Sequence, residues 1–242
     1  MNDNSSLTDL LVIDIETVPG VSHFQELPES WRSLWLGKIS KTVPENISPE
    51  EFYDDKAGIF AEFGRVVCIS AGFFYTEKDG EIFFKIKSLS NSSEVELLRS
   101  FFNLVEKFKE KRPQFCYAGH NIKEFDIPFI CRRTYANQLP LPAFLQFNGM
   151  KPWEVNLVDT MQLWKFGDHK NYTSLKLLAA VLNVPTPKDD IDGSMVKTVY
   201  YEEKNLPRIV EYCQKDVIAV ANVLLRLRNL PILNPQNIFV AE

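Results

Sequence analysis

The run from Leu10 to Ile15 is apolar apart from Asp14, and it is far too short for a membrane span or a long helix. Such a run reads as a central β-strand covered on both faces, since a strand with one wet face would alternate apolar and polar residues. That requirement asks for helices on both sides of a sheet. Pro19-Gly20 ends the strand. Strand side chains alternate, so Asp14 and Glu16 share one face while Ile13 and Ile15 take the other. The chain therefore sets two carboxylates side by side at the C-terminal end of a buried strand.

The remaining pattern supplies the cover. Residues 21 to about 63 form a long excursion with Trp31 and Trp35, expected to hold one or two short helices because a structureless loop of that length is unusual. The two tryptophans are expected to pack over the sheet, with base stacking as the alternative. Val66 to Tyr75 and Glu81 to Leu89 read as a β-hairpin around Glu77-Lys78-Asp79-Gly80. Ser93 with Glu96 forms a capping box opening a helix with the stripe Val95, Leu98, Phe101, Phe102, Val105 and Phe108. Its basic end, Lys107 to Arg112, suits the negative pole of that helix as a solvated face. Phe115 to Ala118 and Val155 to Val158 read as strands, and Ile127 to Tyr135, Ser174 to Leu182 and Pro207 to Leu227 as helices. Strands interleaved with helices after a leading hairpin predict an α/β fold with a mixed sheet.

Composition bounds the function. The chain has 242 residues, 45% hydrophobic and 24% charged, which suits one α/β domain. A net charge of −5 argues against a protein that coats nucleic acid electrostatically. It leaves room for an enzyme that grips a few nucleotides through bound cations. The four cysteines lack CxxC spacing and read as buried free thiols, which with the absence of a signal-like N-terminus predicts a cytoplasmic protein. No stretch approaches the ~20 apolar residues of a membrane span, so no membrane partner is expected.

Three segments carry the chemistry: Asp14-Ile15-Glu16-Thr17, His120-Asn121-Ile122-Lys123-Glu124-Phe125-Asp126 and Tyr212-Cys213-Gln214-Lys215-Asp216. Adjacent carboxylates on one strand face repel unless protonated or holding a cation. Hard oxygen ligands of this kind suit Mg²⁺ or Mn²⁺, although a pair of solvated acids reads equally well from these residues alone. Asp126 precedes Ile127-Pro128, where an acid is ordinarily a helix cap, but caps lie at the strand ends where α/β sites also lie. Tyr212 and Asp216 are four apart on one helix face, beside the apolar stripe Ile209, Cys213, Val217, Val220 and Leu224. An acid beside that stripe needs a partner, and either a cation or a solvated surface would serve.

In this order and context the segments resemble the DEDD superfamily of 3′–5′ exonucleases. The chain is most similar to the proofreading exonuclease domain of family-B DNA polymerases. Asp14-x-Glu16-Thr17 matches the first motif, Asn121-x-x-x-Phe125-Asp126 the second, and Tyr212-x-x-x-Asp216 the third in its tyrosine (DEDDy) form. The histidine form would place His where Glu211 stands. The likeness spans residues 10 to about 227. It implies a ribonuclease H-like three-layer fold with a mixed five-stranded sheet, and one exonuclease domain over 1–242 with the insertion at about 21–63. The chain has no room for polymerase palm and fingers, so a stand-alone form is expected.

The resemblance also implies two divalent cations, Mg²⁺ or Mn²⁺, held by Asp14, Glu16, Asp126 and Asp216, with Tyr212 orienting the attacking water. Thr17, His120, Asn121 and Phe125 become candidate substrate contacts. Thr17 also reads as a plain strand-end residue, Phe125 as core, and His120 as a loop-ordering hydrogen bonder. The segment His169-Lys170-Asn171-Tyr172 offers a phosphate contact before the Ser174 helix, with a solvated loop favoured. Asp159-Thr160 most simply caps the next helical segment. The implied partner is the 3′ end of a single strand, DNA favoured over RNA. Three alternatives remain: an exoribonuclease, an inactive nucleic-acid-binding module, and a haloacid-dehalogenase phosphatase. The last would use Asp14-x-Glu16 with Lys188-Asp189-Asp190, but its signature has Asp in place of Glu16 and leaves Tyr212 and Asp216 unexplained.

Overall fold

A computed structural model describes residues 6–77, 80–151, 154–168, 170–185 and 191–241. Strand β1 (Leu10–Pro19) lies inside a six-stranded mixed sheet of order β5-β4-β1-β2-β3-β6. It pairs antiparallel with β2 (Gly64–Thr76), which returns as β3 (Ile82–Ser90), and parallel with β4 (Cys116–Gly119). The edges are β5 (Leu157–Asp159) and β6 (Ile238–Ala241), each parallel to its neighbour. The sheet thus has one strand more than the five expected. The extra strand, β6, is only four residues long, and its pairing with β3 joins segments about 150 positions apart, which periodicity cannot see.

Both faces of β1 are covered, as its apolar run demands. Leu11, Ile13 and Ile15 pack against α3 (Glu94–Lys111) and α4 (Asp126–Ala136) through Leu98, Phe101, Phe129 and Ile130. Leu10 and Val12 pack on the opposite side against Val217, Val220 and Leu224 of α8 (Leu206–Leu227). Asp14 and Glu16 continue the register of Leu10 and Val12, so they face α8. The shorter helices α5 (Thr160–Lys165), α6 (Leu175–Val181) and α7 (Val196–Tyr201) connect β5 to α8.

The excursion holds two helices, α1 (Glu29–Ile39) and α2 (Pro49–Lys56), the second opened by a reciprocal capping box between Ser48 and Glu51. Trp35 is fully buried and meets Tyr53, Phe60 and Phe63 edge-on, while its indole N–H donates to the Pro49 carbonyl at 2.9 Å. It centres a small core within the insertion and does not lie over the sheet. Trp31 is 42% exposed, edge-on to Phe63. Polar contacts tie this unit to the rest: Arg133 Nη1–H of α4 donates to the Ala61 carbonyl at 2.9 Å, and Lys197 of α7 pairs with Asp54 at 3.1 Å.

The expected capping box at α3 is half made. Ser93 accepts the Glu96 N–H, but the Ser93 N–H goes to Asn91 Oδ1 at 2.8 Å, and Glu96 pairs with Arg99. A buried acid one residue on does more for the fold. Glu94 receives Arg133 at 2.6 Å, Asn137 Nδ2 at 2.8 Å and the Val66 N–H at 2.7 Å, locking α4 to the start of β2. Removing one partner of such a pair strands the other charge. Arg133→Ala should therefore lower stability by about 3 kcal/mol in urea unfolding, well above the cost of an exposed ion pair.

Candidate active site

Local geometry brings the three segments together at the C-terminal end of β1. Strand β4 pairs with β1 only through Val12, then leaves the sheet at Gly119. Beyond that point Asp126 takes over: the Ile15 N–H donates to its Oδ1 at 3.1 Å. Asp126 is the first residue of α4, and its carboxylate accepts from its own backbone N–H as well as from the strand between Asp14 and Glu16. The turn out of β4 needs glycine, because a Cβ on residue 119 would sit 2.8 Å from Ile122 Cβ and 3.1 Å from the Ile13 carbonyl oxygen.

Across the sheet, α8 presents Tyr212, Cys213 and Asp216. Carboxylate oxygens of Asp14 and Glu16 and the Cys213 sulfur all lie within 4.8 Å of one another. The Cys213 thiol donates to Asp14 Oδ2 at 3.3 Å and meets the thiol of Cys68, which sits opposite Glu16 in the β1–β2 register. The Tyr212 hydroxyl bonds to Asp216.

The electrostatics are those of crowded buried acids. Burial, then Glu16, Asp126 and Asp216, hold Asp14 well above the usual carboxylate range, against the Cys213 hydrogen bond. Burial, then Asp216, Cys68 and Asp126, do the same to Glu16. Asp126 is pushed up to about 7 by burial, with Asp159 and Asp216 adding to it and backbone N–H groups opposing. Burial and the neighbouring acids keep the Tyr212 phenol protonated, a donor only. Among the described residues Asp14, Glu16 and Asp126 have no Lys or Arg partner. Unpaired, hard oxygen donors converging in a low-dielectric site fit a divalent cation such as Mg²⁺ or Mn²⁺.

The candidate substrate contacts surround this cluster. Thr17 is half-buried just past a β-bulge, where β2 carries one extra residue between the Glu16–Cys68 and Thr17–Val66 pairs, a device that re-aims side chains. His120 uses both ring nitrogens, on Thr160 Oγ1 at 2.9 Å and the Thr173 carbonyl at 2.8 Å, which is the loop-ordering arrangement. Burial lowers its pKa, favouring the neutral ring. Asn121 adopts a left-handed φ of 60°, and its buried Oδ1 lacks a hydrogen-bond partner. Phe125 is half-buried against Phe129, ring centroids 5.5 Å apart. Lys170, Asn171 and Tyr172 lie in an exposed loop, while His169 and Lys188 to Asp190 fall outside the described residues.

Two features escaped the sequence reading. Cys68 and Cys213 border the acids. Asp159 does cap α5, accepting from Met161 and Gln162, but it also holds the Asn121 and Lys123 N–H groups at 3.0 and 3.2 Å, fixing the loop that leads to Asp126. Its position, an acid at the end of a parallel strand, is the signal that could have revealed it.

Residues 59–232 match the family described as "Predicted 3'-5' exonuclease related to the exonuclease domain of PolB". The chain belongs to that family. The family B DNA polymerase from the hyperthermophilic archaeon Pyrobaculum calidifontis shares the fold, with a TM-score of 0.52 and 16% identity over 89% of this chain. The match covers 24% of the polymerase, so the chain spans about a quarter of that relative's length. No curated protein sequence matches. The fold is thus α/β and ribonuclease H-like, a mixed sheet flanked by helices, and among the described residues no helix is long and apolar enough to cross a membrane.

Raised carboxylate pKa values have a measurable sign. A folded-state pKa above the unfolded one stabilises the protein below the unfolded value and loses that contribution as pH rises through the folded value. For Asp126 the window runs from 3.8 to about 7. Metal-free protein should therefore melt at lower temperature at pH 8 than at pH 5, and Mn²⁺ should raise Tm more at pH 8, read by differential scanning fluorimetry.

Proposed function

We propose that the chain is a metal-dependent 3′–5′ exonuclease that removes nucleotides from single-stranded nucleic acid, DNA favoured. The carrying observation is the convergence of Asp14, Glu16 and Asp126 from one side and Tyr212 with Asp216 from the other, at the end of one buried strand. Membership of the PolB-related exonuclease family supports the reaction class, and the polymerase relative supports DNA as the first substrate to test. Residues 1–242 form one catalytic domain in this reading, with the 21–63 unit as an insertion tied to α7 through Asp54–Lys197 and to α4 through Ala61–Arg133. It works in the cytoplasm, where free thiols such as Cys68 and Cys213 stay reduced.

Asp14, Glu16, Asp126 and Asp216 would hold two divalent cations, which when bound activate the attacking water and stabilise the leaving 3′ oxygen. The remaining work falls to the chain. Tyr212, protonated and bonded to Asp216, orients the water and does not act as a base. Asn121 offers an unspent carbonyl oxygen, and Thr17 a hydroxyl at the bulge, to the terminal nucleotide. His120 contributes by fixing its loop between Thr160 and Thr173. Phe125 keeps the approach apolar.

The test is digestion of end-labelled single-stranded DNA, RNA and mismatched duplex with Mn²⁺ or Mg²⁺, read as a product ladder. Stepwise shortening from the 3′ end is expected, lost on chelation and lost in Asp14→Ala. Tyr212→Phe should leave residual activity, reduced about 10²-fold by mispositioning of the water. Undiminished cleavage by the Asp14 variant would sink the assignment. Cleavage of RNA alone would move the substrate to the ribonucleotide side.

A further inference from the structure

On the α3–α4 side of the sheet lies a cavity of about 410 Å³, walled by α4, by Leu145, Phe147 and Asn148, and by Val155 and Leu157. Its near wall, Lys123, Ile127 and Pro128, is the stretch of chain that also carries Asp126. Because β5 is an edge strand, no further strand covers that side among the described residues. The floor is apolar, with Leu145 and Leu157 buried beneath it. Polar and aromatic groups stand around it: Lys123, Arg132, Tyr135, Phe147 and Asn148. This volume and mix are those of small-ligand pockets, a mostly apolar lining with a few placed polar groups.

Two properties narrow the occupant. Lys123 and Arg132 form no ion pair among the described residues, in a chain where 32 acids outnumber 27 bases. Glu62 senses Arg132 only from beyond ion-pair distance. Neither cation is held by a carboxylate within ion-pair distance, so both are free to take an anion at the cavity rim. Tyr135 is 58% exposed and has no aromatic neighbour among the described residues, so its ring face is open for stacking. A bare phosphate would not use the rings or the apolar floor. A nucleotide uses all three parts: phosphate on the cations, base against Tyr135 or Phe147, sugar over the floor.

We propose that this cavity is a nucleotide subsite separate from the acidic cluster. It takes either a free nucleoside monophosphate or one unit of a single strand. The proposal rests on the exonuclease reading only for the strand's destination, the Asn121–Asp126 segment, of which Lys123 lines the cavity.

The test is binding to the intact protein in EDTA, where nothing is hydrolysed. Thymidine 5′-monophosphate and a short fluorescein-labelled oligothymidylate are titrated separately, following backbone amide shifts of residues 127–135 and, for the oligonucleotide, anisotropy. Saturable shifts with the monophosphate identify the free nucleotide as an occupant; shifts with the oligonucleotide alone identify the strand. Arg132→Glu and Tyr135→Ala, both at exposed positions, should each weaken the active ligand about tenfold. Lys111→Glu makes the same charge change in the last turn of α3, beside the Arg112 that contacts Thr8 just before β1, and should have less than about a twofold effect. If the strand binds, the Lys123→Ala/Arg132→Ala double variant should lessen the log–log salt slope by about 1.4. Unmoved amides with both ligands, or equal weakening by Lys111→Glu and Arg132→Glu, would overturn the proposal. Binding without metal is read whether or not the chain cleaves anything, so failure of the exonuclease reading and failure of this subsite are separate results.

Discussion

Asp14 and Glu16 stand on one face of a strand whose both faces are buried, and like charges in that position repel with little water to screen them. Asp126 worsens the crowding by bonding to the Ile15 N–H between them, and Asp216 adds a fourth acid from α8. A protein built only for stability would place apolar residues here. The surrounding fold instead holds the acids together, which is the condition for gripping a cation and a phosphate at one point.

Much of the nearby structure reads as the support for that arrangement. Asp159 collects four N–H groups and so fixes both α5 and the loop leading to Asp126. His120 bridges Thr160 and Thr173, and Gly119 lets the chain pass close over Ile13 and Ile122. Glu94 and Arg133 anchor the helix that begins with Asp126. The segments that carry the acids are therefore fixed by hydrogen bonds made outside the cluster, besides those that Ile15, Cys213 and Tyr212 make to the acids themselves. The cavity beside α4 carries Lys123 and Arg132 where the cluster carries acids.

What was legible in the sequence was what periodicity can carry. Alternation along β1 put Asp14 and Glu16 on one face, and spacing of four put Tyr212 and Asp216 on another, before any contact was known. The contacts that need register or distant pairing were not legible. Cys68 meets Glu16 only through the β1–β2 register, which a bulge then shifts by one residue. Cys213 looked like one more apolar position of α8, and its thiol turns out to face Asp14. Asp159 showed one role, the cap, because its second depends on a loop about 40 residues away. Trp35 was expected over the sheet, but Tyr53, Phe60 and Phe63 give it a core within the insertion. β6 has too few residues to show a period at all.

In the proposed reading these acids together hold two cations at one site. Titration of Mn²⁺ into the protein, with free ion read by electron paramagnetic resonance, addresses it without depending on any nucleic acid. Wild type at pH 8 should bind about two ions per chain, as a two-metal site requires, with affinity falling as pH drops through the range near 7 where Asp126 takes up its proton. Asp14→Asn, which keeps the shape and removes the charge, should lose at least one of those ions. The same stoichiometry and affinity in Asp14→Asn as in wild type would contradict the account.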